Sequence, residues 1–446
     1  MPCRHSFFTA SVFRLTAATL SALLAASFPA ARLAAENWPQ WRGPFGTGVS
    51  HERNVPLVWS ERRGIAWKRP IPPWGDSTPA IWGRSVFVTS QVMDKQLLLI
   101  HLDATDGRVV WTRQTGSDTT PRGAPERRHQ IFHRLHNLAT PSPVTDGRVV
   151  VVHFGNGDLA TYDYDGQCIW KRNLQKEYGK YTIWYGHVNS PVLFGDLVIS
   201  VCMQDSLRDP RDEHAASYIV AHDLATGKTR WKTARMTAAV AEQCDAYTTP
   251  ILTAVAGQPM LIVMGANQLD AYDPRTGKQL WYLPGLVGGR TVTNPTVDNN
   301  LLFATRGLRG ALFAVPIGRP GKGTLRDILW SYDQGTPDSC GLVVSDSLLF
   351  AISDDGIVRC FDTRTGKRHW KKRLVGKYKA SPVAVNGRIL FLNSEGTCTV
   401  ISASPRFDKL AENHLDAETI ASPAIANGHI FIRGRKQLYC IGPTNY

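Results

Sequence analysis

The chain has 446 residues, 43% hydrophobic and 20% charged, with a formal net charge of +14. That length suits two domains or one large repeat architecture, and the composition excludes a long disordered chain. A basic balance admits anionic glycans, lipids or cell-wall polymers as partners, although a solvated basic surface is the favoured reading.

The first element reads as an export signal. Arg4 and Arg14 precede the apolar run Leu15–Phe28, and small residues follow as far as Ala35. A basic start, a short apolar stretch and a small-residue exit predict a secretory signal over residues 1–35, with Glu36 first after cleavage. The alternative is an uncleaved anchor. The run is short for a membrane span, and no later stretch is apolar enough for one. The signal carries three arginines and no acid, so its removal leaves a net charge of about +11. Of eight cysteines, Cys3 lies in the signal. The others are scattered without a C-x-x-C pair, which supports neither a zinc ribbon nor a thioredoxin motif. Residues 36–58 form an N-terminal extension.

From residue 59 onward the chain repeats. Trp67, Trp111, Trp170, Trp231, Trp281, Trp330 and Trp370 recur at intervals of 40 to 61 residues. A small residue plus proline opens each unit: Thr78-Pro79, Ser142-Pro143, Ser190-Pro191, Thr249-Pro250, Asn294-Pro295, Ser381-Pro382 and Ser422-Pro423. Ser339-Cys340 is read as the remaining start, without proline. "SPVTDGRVVVVHFGNGDLATYDYDGQCIWKRNL" (142–174) shows one unit: four short β-rich runs separated by Gly/Asp/Asn turns. Four strands per ~40–50 residues predict a propeller blade, since one such sheet cannot bury both faces alone. The eighth unit has room for three strands. "GIAWKRPI" (64–71) supplies the fourth and closes an all-β ring of eight blades over residues 59–446. The seventh unit lacks its tryptophan ("FDKLAENHL", 407–415).

"DLATGKTRW", "DPRTGKQLW" and "DTRTGKRHW" share one spacing from Asp to Trp. They are not phosphate loops. The leading glycine of the amide cradle is replaced by His222, Tyr272 and Phe361 respectively. Ala271, Asp273, Thr276, Gly277 and Trp281 instead resemble the tryptophan-docking motif of quinoprotein-type propellers, the PQQ-like repeat family. Ala221 to Trp231 matches in full, Cys360 replaces the alanine of the third copy, and the first two units carry weaker copies. The resemblance covers about residues 59–441, and "NWPQWRGPFGTGVS" (37–50) resembles the segment that precedes such propellers in bacteria. It implies the fold firmly and the activity loosely.

Propeller geometry puts first-strand entry loops and second-to-third-strand loops on one face, with "DGR" and "TGK" turns opposite. Two insertions, residues 117–139 and 204–217, fall on the first face, and such clustering marks a binding face. A third insertion, residues 317–327, falls opposite and reads as a spacer. The entry segments supply the candidate ligand residues: His136, Trp184, Tyr185, His187, Asn189, Asp245, Tyr247, Arg290, Tyr378 and Lys379. Aromatics with a few cations and amides suit a polar, planar or sugar-like ligand. Polar filling of a wet channel is the competing account. His129, His133 and His136 have helical metal-ligand spacing, but their surroundings are basic and loop-like, so no metal is expected. No G-x-S-x-G hydrolase motif occurs.

The reading is an exported, non-enzymatic, monomeric binding propeller of the periplasm or cell envelope. Its partner would be an envelope protein or an anionic glycan, with no nucleic acid and no cofactor. The resemblance to outer-membrane assembly scaffolds implies this role. The alternative is a PQQ- and calcium-dependent alcohol or polyol dehydrogenase, with Arg290, Lys379 and Trp184 as quinone contacts. Against it stand the absent Cys-Cys pair and the few acids near the mouth: Asp245, Asp338 and Glu418.

Overall fold

The computed structural model describes residues 36–92, 96–117, 134–205 and 217–443. They form eight sheets whose first strands contact one another around a central axis. Blade 1 runs through Ala80–Trp82, Ser85–Gln91, Gln96–Asp103 and Val109–Ser117, all antiparallel. Blades 2 to 7 repeat this order over 144–173, 192–235, 251–284, 296–332, 343–373 and 383–414. Blade 8 takes three strands from 424–441, and Ile65–Pro70 completes it, with Trp67 opposite Cys440. The ring is therefore closed by the start of the chain, as the sequence predicts.

The recurring motif joins each blade to the next. Within a blade, the small residue of the motif lies opposite the tryptophan, as Ala221 does Trp231 and Cys360 does Trp370, and a bulge follows immediately. The turn is held by its aspartate: Asp223 Oδ1 accepts from the Ala225 and Thr226 amides and from the Thr226 hydroxyl. These bonds hold the Asp223 carboxyl below its ordinary range. Gly227 has φ +70°, and a Cβ there would stand 2.7 Å from the Trp170 ring of the preceding blade. Glycine is thus required both by the backbone conformation and by the indole against it.

The same indole donates into that turn. Trp170 Nε1 reaches the Leu224 carbonyl at 2.8 Å, Trp67 reaches Ala104 at 2.7 Å and Trp111 reaches Tyr164 at 2.8 Å. Trp231, Trp330 and Trp370 do likewise to Pro274, Thr363 and Ser404. Trp281 is the exception, because its buried Nε1 has no acceptor among the described residues. The turn that would receive it in blade 5 is replaced by the third insertion. That insertion is no spacer. Gly321–Lys322 pairs in parallel with Trp281–Tyr282, so it covers the outer edge of blade 4 with main-chain hydrogen bonds. The basic run of blade 6 reads as expected: Trp370 is buried while the other residues of Arg368–Arg373 stay exposed.

A second ring of contacts runs along the first strands. The hydroxyl or amide that opens each unit accepts from the equivalent backbone N–H one blade earlier. Thr78 donates to Ser142 (2.9 Å), Ser142 to Ser190 (2.9 Å), Ser190 to Thr249 (3.1 Å) and Thr249 to Asn294 (2.8 Å). The ring resumes with Gly341 to Ser381 (2.9 Å) and Ser381 to Ser422 (3.0 Å). It closes through the Thr78 hydroxyl on the Ser422 carbonyl (3.2 Å). This fixes the start of blade 6 at Gly341-Leu342, two residues after the Ser339-Cys340 start read from sequence. Gly341 brings no hydroxyl, so the belt is open between blades 5 and 6.

The N-terminal extension occupies the channel. Trp38 pairs with Ile81 of blade 1 through hydrogen bonds of 2.9 and 2.7 Å, and the Pro39 carbonyl accepts from Thr145 of blade 2. Gln40, Trp41 and Gly46 face Pro191 of blade 3 and Pro250 of blade 4 across a narrow crevice. Thr47 meets Thr296 of blade 5, and the Arg42 guanidinium donates to the Leu342 carbonyl of blade 6. Val49–Ser50 then adds a parallel strand to Val383–Val385 of blade 7. Finally, the Glu36 carbonyl accepts from Asn427 of blade 8. One segment therefore touches every blade. Arg42 fills the gap in the belt, and a Cβ on Gly341 would collide with its Nη1.

Two substitutions separate the roles of the indole. Trp281→Ala should cost about 3–5 kcal/mol, the loss typical of a buried indole. Trp67→Phe should cost about 1 kcal/mol more than Trp281→Phe, because only Trp67 loses a hydrogen bond. Urea denaturation of the three variants and the parent tests both, and equal losses for the two phenylalanine variants would remove the indole bond from the docking role.

Candidate functional site

Trp41 reaches the middle of the channel half-buried and closes it. Above it lies a cavity of about 960 Å³, opening on the face of the first-strand entry loops. The cavity is a blind funnel with two unlike walls. Over blades 2 to 4 it is lined by His136, Tyr185, Val188, Tyr247, Arg290 and Val292. Over blades 5 to 7 it carries Asp333, Asp338, Asp354 and Asp355 with Arg309, Arg359, Arg373 and Lys379. The belt hydroxyls Ser142, Ser190, Thr249, Ser381 and Ser422 ring the space between.

The aromatic wall is braced by its own hydrogen bonds. The Tyr247 hydroxyl donates to Asp245 Oδ2 at 3.0 Å and accepts from the Tyr185 amide at 3.3 Å. Burial, with Asp245 beside it, pushes the Tyr247 phenol well above its ordinary range. The Arg290 guanidinium lies 5.5 Å over the Tyr185 ring and pairs with Glu242. On the charged wall three of the four named carboxylates have a cation. Asp338 binds Arg309, Asp354 binds Lys379, and Asp355 binds Lys377. Ser339 also joins Asp354 through its hydroxyl (2.8 Å) and its amide (3.0 Å). Lys379 is committed to Asp354, so its contact with the Ser339 hydroxyl does not make an activated nucleophile.

Of the residues expected from sequence, the structure brings His136, Tyr185, Tyr247, Arg290 and Lys379 to the cavity. Trp184 stands beside this wall, donating its amide to Asp245 at 3.1 Å, without lining the space. Four others turn away, which corrects their expected placement. His187 is fully buried against His153, with Nε2 to Nδ1 at 3.2 Å. Burial holds both imidazoles far below the usual range, so they are neutral packing groups. Asn189 clamps blade 3 to blade 4 through the Ala246 and Thr248 carbonyls. Asp245 is buried as the acceptor just described, and Tyr378 is buried in blade 6 with its hydroxyl on the Val375 carbonyl. His129 and His133 lie outside the described residues, as do 118–133 and 206–216 of the two large insertions.

Sequence reading missed Trp41, Asp76 and most of the acidic wall. Trp41 belongs to no repeat, and Asp354 and Asp355 come from a second-to-third-strand turn of blade 6, while Asp333 and Asp338 lie in the entry segment before it. Asp76 is the most unusual group. Its Oδ2 is buried without a hydrogen-bond partner among the described residues. Burial pushes its carboxyl up to about 7, against the opposing pull of Arg433 and Arg435.

A calcium–quinone pair, as the dehydrogenase alternative implies, finds no matching donor set among the described residues. Asp338, Asp354 and Asp355 are committed to cations, and Asp76 sits beside two guanidiniums that oppose a metal ion. Among the described residues no group of three or more His, Cys, Asp or Glu is placed to hold a metal. No reaction step is therefore derived through a quinone.

A closed ring of eight four-stranded blades, locked by indoles docking on neighbouring turns, defines an eight-bladed quinoprotein-type propeller. The chain belongs to the family described as outer membrane protein assembly factor BamB, whose model matches residues 57–205, 215–316 and 323–406. No curated protein matches it. Among solved structures it is similar to BamB from Moraxella catarrhalis, at 15% identity and TM-score 0.57 over 84% of this chain and 98% of that one. It is also similar to the quinohemoprotein alcohol dehydrogenase from Comamonas testosteroni, at 12% identity and TM-score 0.66 over 91% and 80%. The computationally designed Ika8 protein matches at 12% identity and TM-score 0.55 over 85% and 100%. At these identities the likeness is one of fold.

Asp76 yields a test by pH. Its folded value of about 7 exceeds the unfolded value near 3.9, so the folded state holds the extra proton between them. Stability contributed by this group is thus present below about pH 4 and lost as pH rises towards 7. Asp76→Asn should raise stability at pH 8 by on the order of 3 kcal/mol and leave it nearly unchanged at pH 4. Thermal unfolding of both proteins across that range checks it, and a pH-independent difference would contradict the assignment.

Proposed function

We propose that this protein is an exported, non-enzymatic binding module of the cell envelope that seats a partner segment or ligand in the blind cavity. The observation carrying this reading is the funnel itself. It opens on the entry-loop face and ends on Trp41, so a group can be held there and not passed through. Its polar groups are largely committed to one another, which suits recognition over proton transfer at a reacting centre. Membership of the BamB family supports a scaffold role. The signal-like residues 1–35 support export, and among the described residues no helix is long and apolar enough to cross a membrane. The charged wall pairs acids with bases and favours a partner bearing both signs over a purely anionic glycan.

The test uses the exported protein with a photo-reactive side chain at Leu308 of the cavity or at Lys278 of the opposite face. Cross-links to a discrete envelope partner should form from the cavity position only. Tyr247→Ala should reduce that capture at least tenfold, the scale of one lost anchor. Capture from both faces alike would reject the cavity as the site. Dye-linked alcohol oxidation after addition of PQQ and calcium would reject the non-enzymatic reading.

A further inference from the structure

The segment that floors the cavity begins with an unusual arrangement of charge. The Glu36 main-chain nitrogen lies 2.8 Å from Glu52 Oε1. The Glu36 carboxylate folds back onto the same turn, accepting from the Ser50 hydroxyl at 2.6 Å and the His51 amide at 2.8 Å. The nitrogen thus meets the Glu52 carboxylate, with the Glu36 carboxylate held on the same turn. Their ionic partner among the described residues is the His51 imidazole, 3.2 Å from Glu36 and 69% exposed. No lysine or arginine pairs with either carboxylate among the described residues. As an amide, that nitrogen gives a single neutral hydrogen bond and leaves the pair of negative charges uncompensated. As a free α-ammonium, it would bring a positive charge to them and make a charge-assisted bond.

We infer that the chain is processed between Ala35 and Glu36, and that the new α-ammonium of Glu36 latches onto Glu52 and fixes the channel segment. The step is hydrolysis by a leader-type peptidase acting before folding. Water cleaves the amide, Ala35 departs with the new carboxylate, and Glu36 keeps the nitrogen as its ammonium. The latch lies where the segment enters the channel. There the Glu36 carbonyl also accepts from Asn427 of blade 8 (3.3 Å), and the Asn37 side chain accepts from Gly83 of blade 1 (2.8 Å). From that anchor the chain runs to Arg42 in the belt gap and Trp41 at the cavity floor. The inference rests on the export named above and not on the identity of any partner. It makes the floor of the cavity a feature completed by maturation.

The exported full-length protein is purified and its N-terminus sequenced, and Glu36 should be the first residue. The α-amine is then acylated with a limiting anhydride at pH 7. An ammonium held by Glu52 should react at least tenfold more slowly than in Glu52→Gln, because only the free amine is nucleophilic. A third protein carries Gly-Ser ahead of Glu36. Glu52→Gln should lower the melting temperature several degrees in the Glu36-started chain and clearly less in the extended one. A different mature N-terminus, equal acylation rates, or equal melting shifts in both backgrounds would overturn the latch. Loss of partner capture without these changes would count against the proposed function alone.

Discussion

Six of the eight blades give an indole N–H to a carbonyl in the next blade's turn, and that donation sets the rest of the architecture. It goes with an aspartate to shape the turn and a glycine where the indole lies flat. Those features are what the repeated motif records. A single blade satisfies neither its indole nor its turn, so stability belongs to neighbouring pairs. The belt of Ser, Thr and Asn at the channel repeats this logic at smaller radius. Outer and inner rings hold one seam at two distances from the axis, which restrains both splaying and sliding of adjacent blades.

Much of this was legible in the sequence because it repeats. Spacing gave the blades, the missing eighth outer strand and its replacement by residues 64–71. What did not repeat was hidden. Nothing in "NWPQWRGPFGTGVS" says that it lies against blade after blade, since main-chain contacts such as those of the Trp38, Pro39 and Gly48 carbonyls leave little mark on side-chain identity. The start of blade 6 was misread for a related reason. Gly341 occupies a serine's place because Arg42 needs the room, so the usual signal is erased where the structure departs from symmetry.

The site residues show a different limit. His187, Asn189, Asp245 and Tyr378 all lie close to a strand start, yet they point into the seams. Entry segments have no period that would tell inward from outward. Two of these residues still shape the aromatic wall from behind. Asp245 orients Tyr247, and Asn189 ties the two blades that carry it. Of the acidic wall, Asp354 and Asp355 escaped notice because they sit in a short strand-to-strand turn, where aspartate is favoured anyway.

The channel segment also has a temporal meaning. Arg42 bonds to a residue 300 positions later, and Thr78 closes the belt on a residue 344 positions later. The earliest part of the folded chain to be synthesised is therefore among the last to find its place. Until blades 7 and 8 exist, residues 36–70 have neither a channel to fill nor a sheet to finish. Loop closure on that scale is slow and leaves edges exposed meanwhile. A chain built this way must be complete before its ring can close, and its beginning waits for its end.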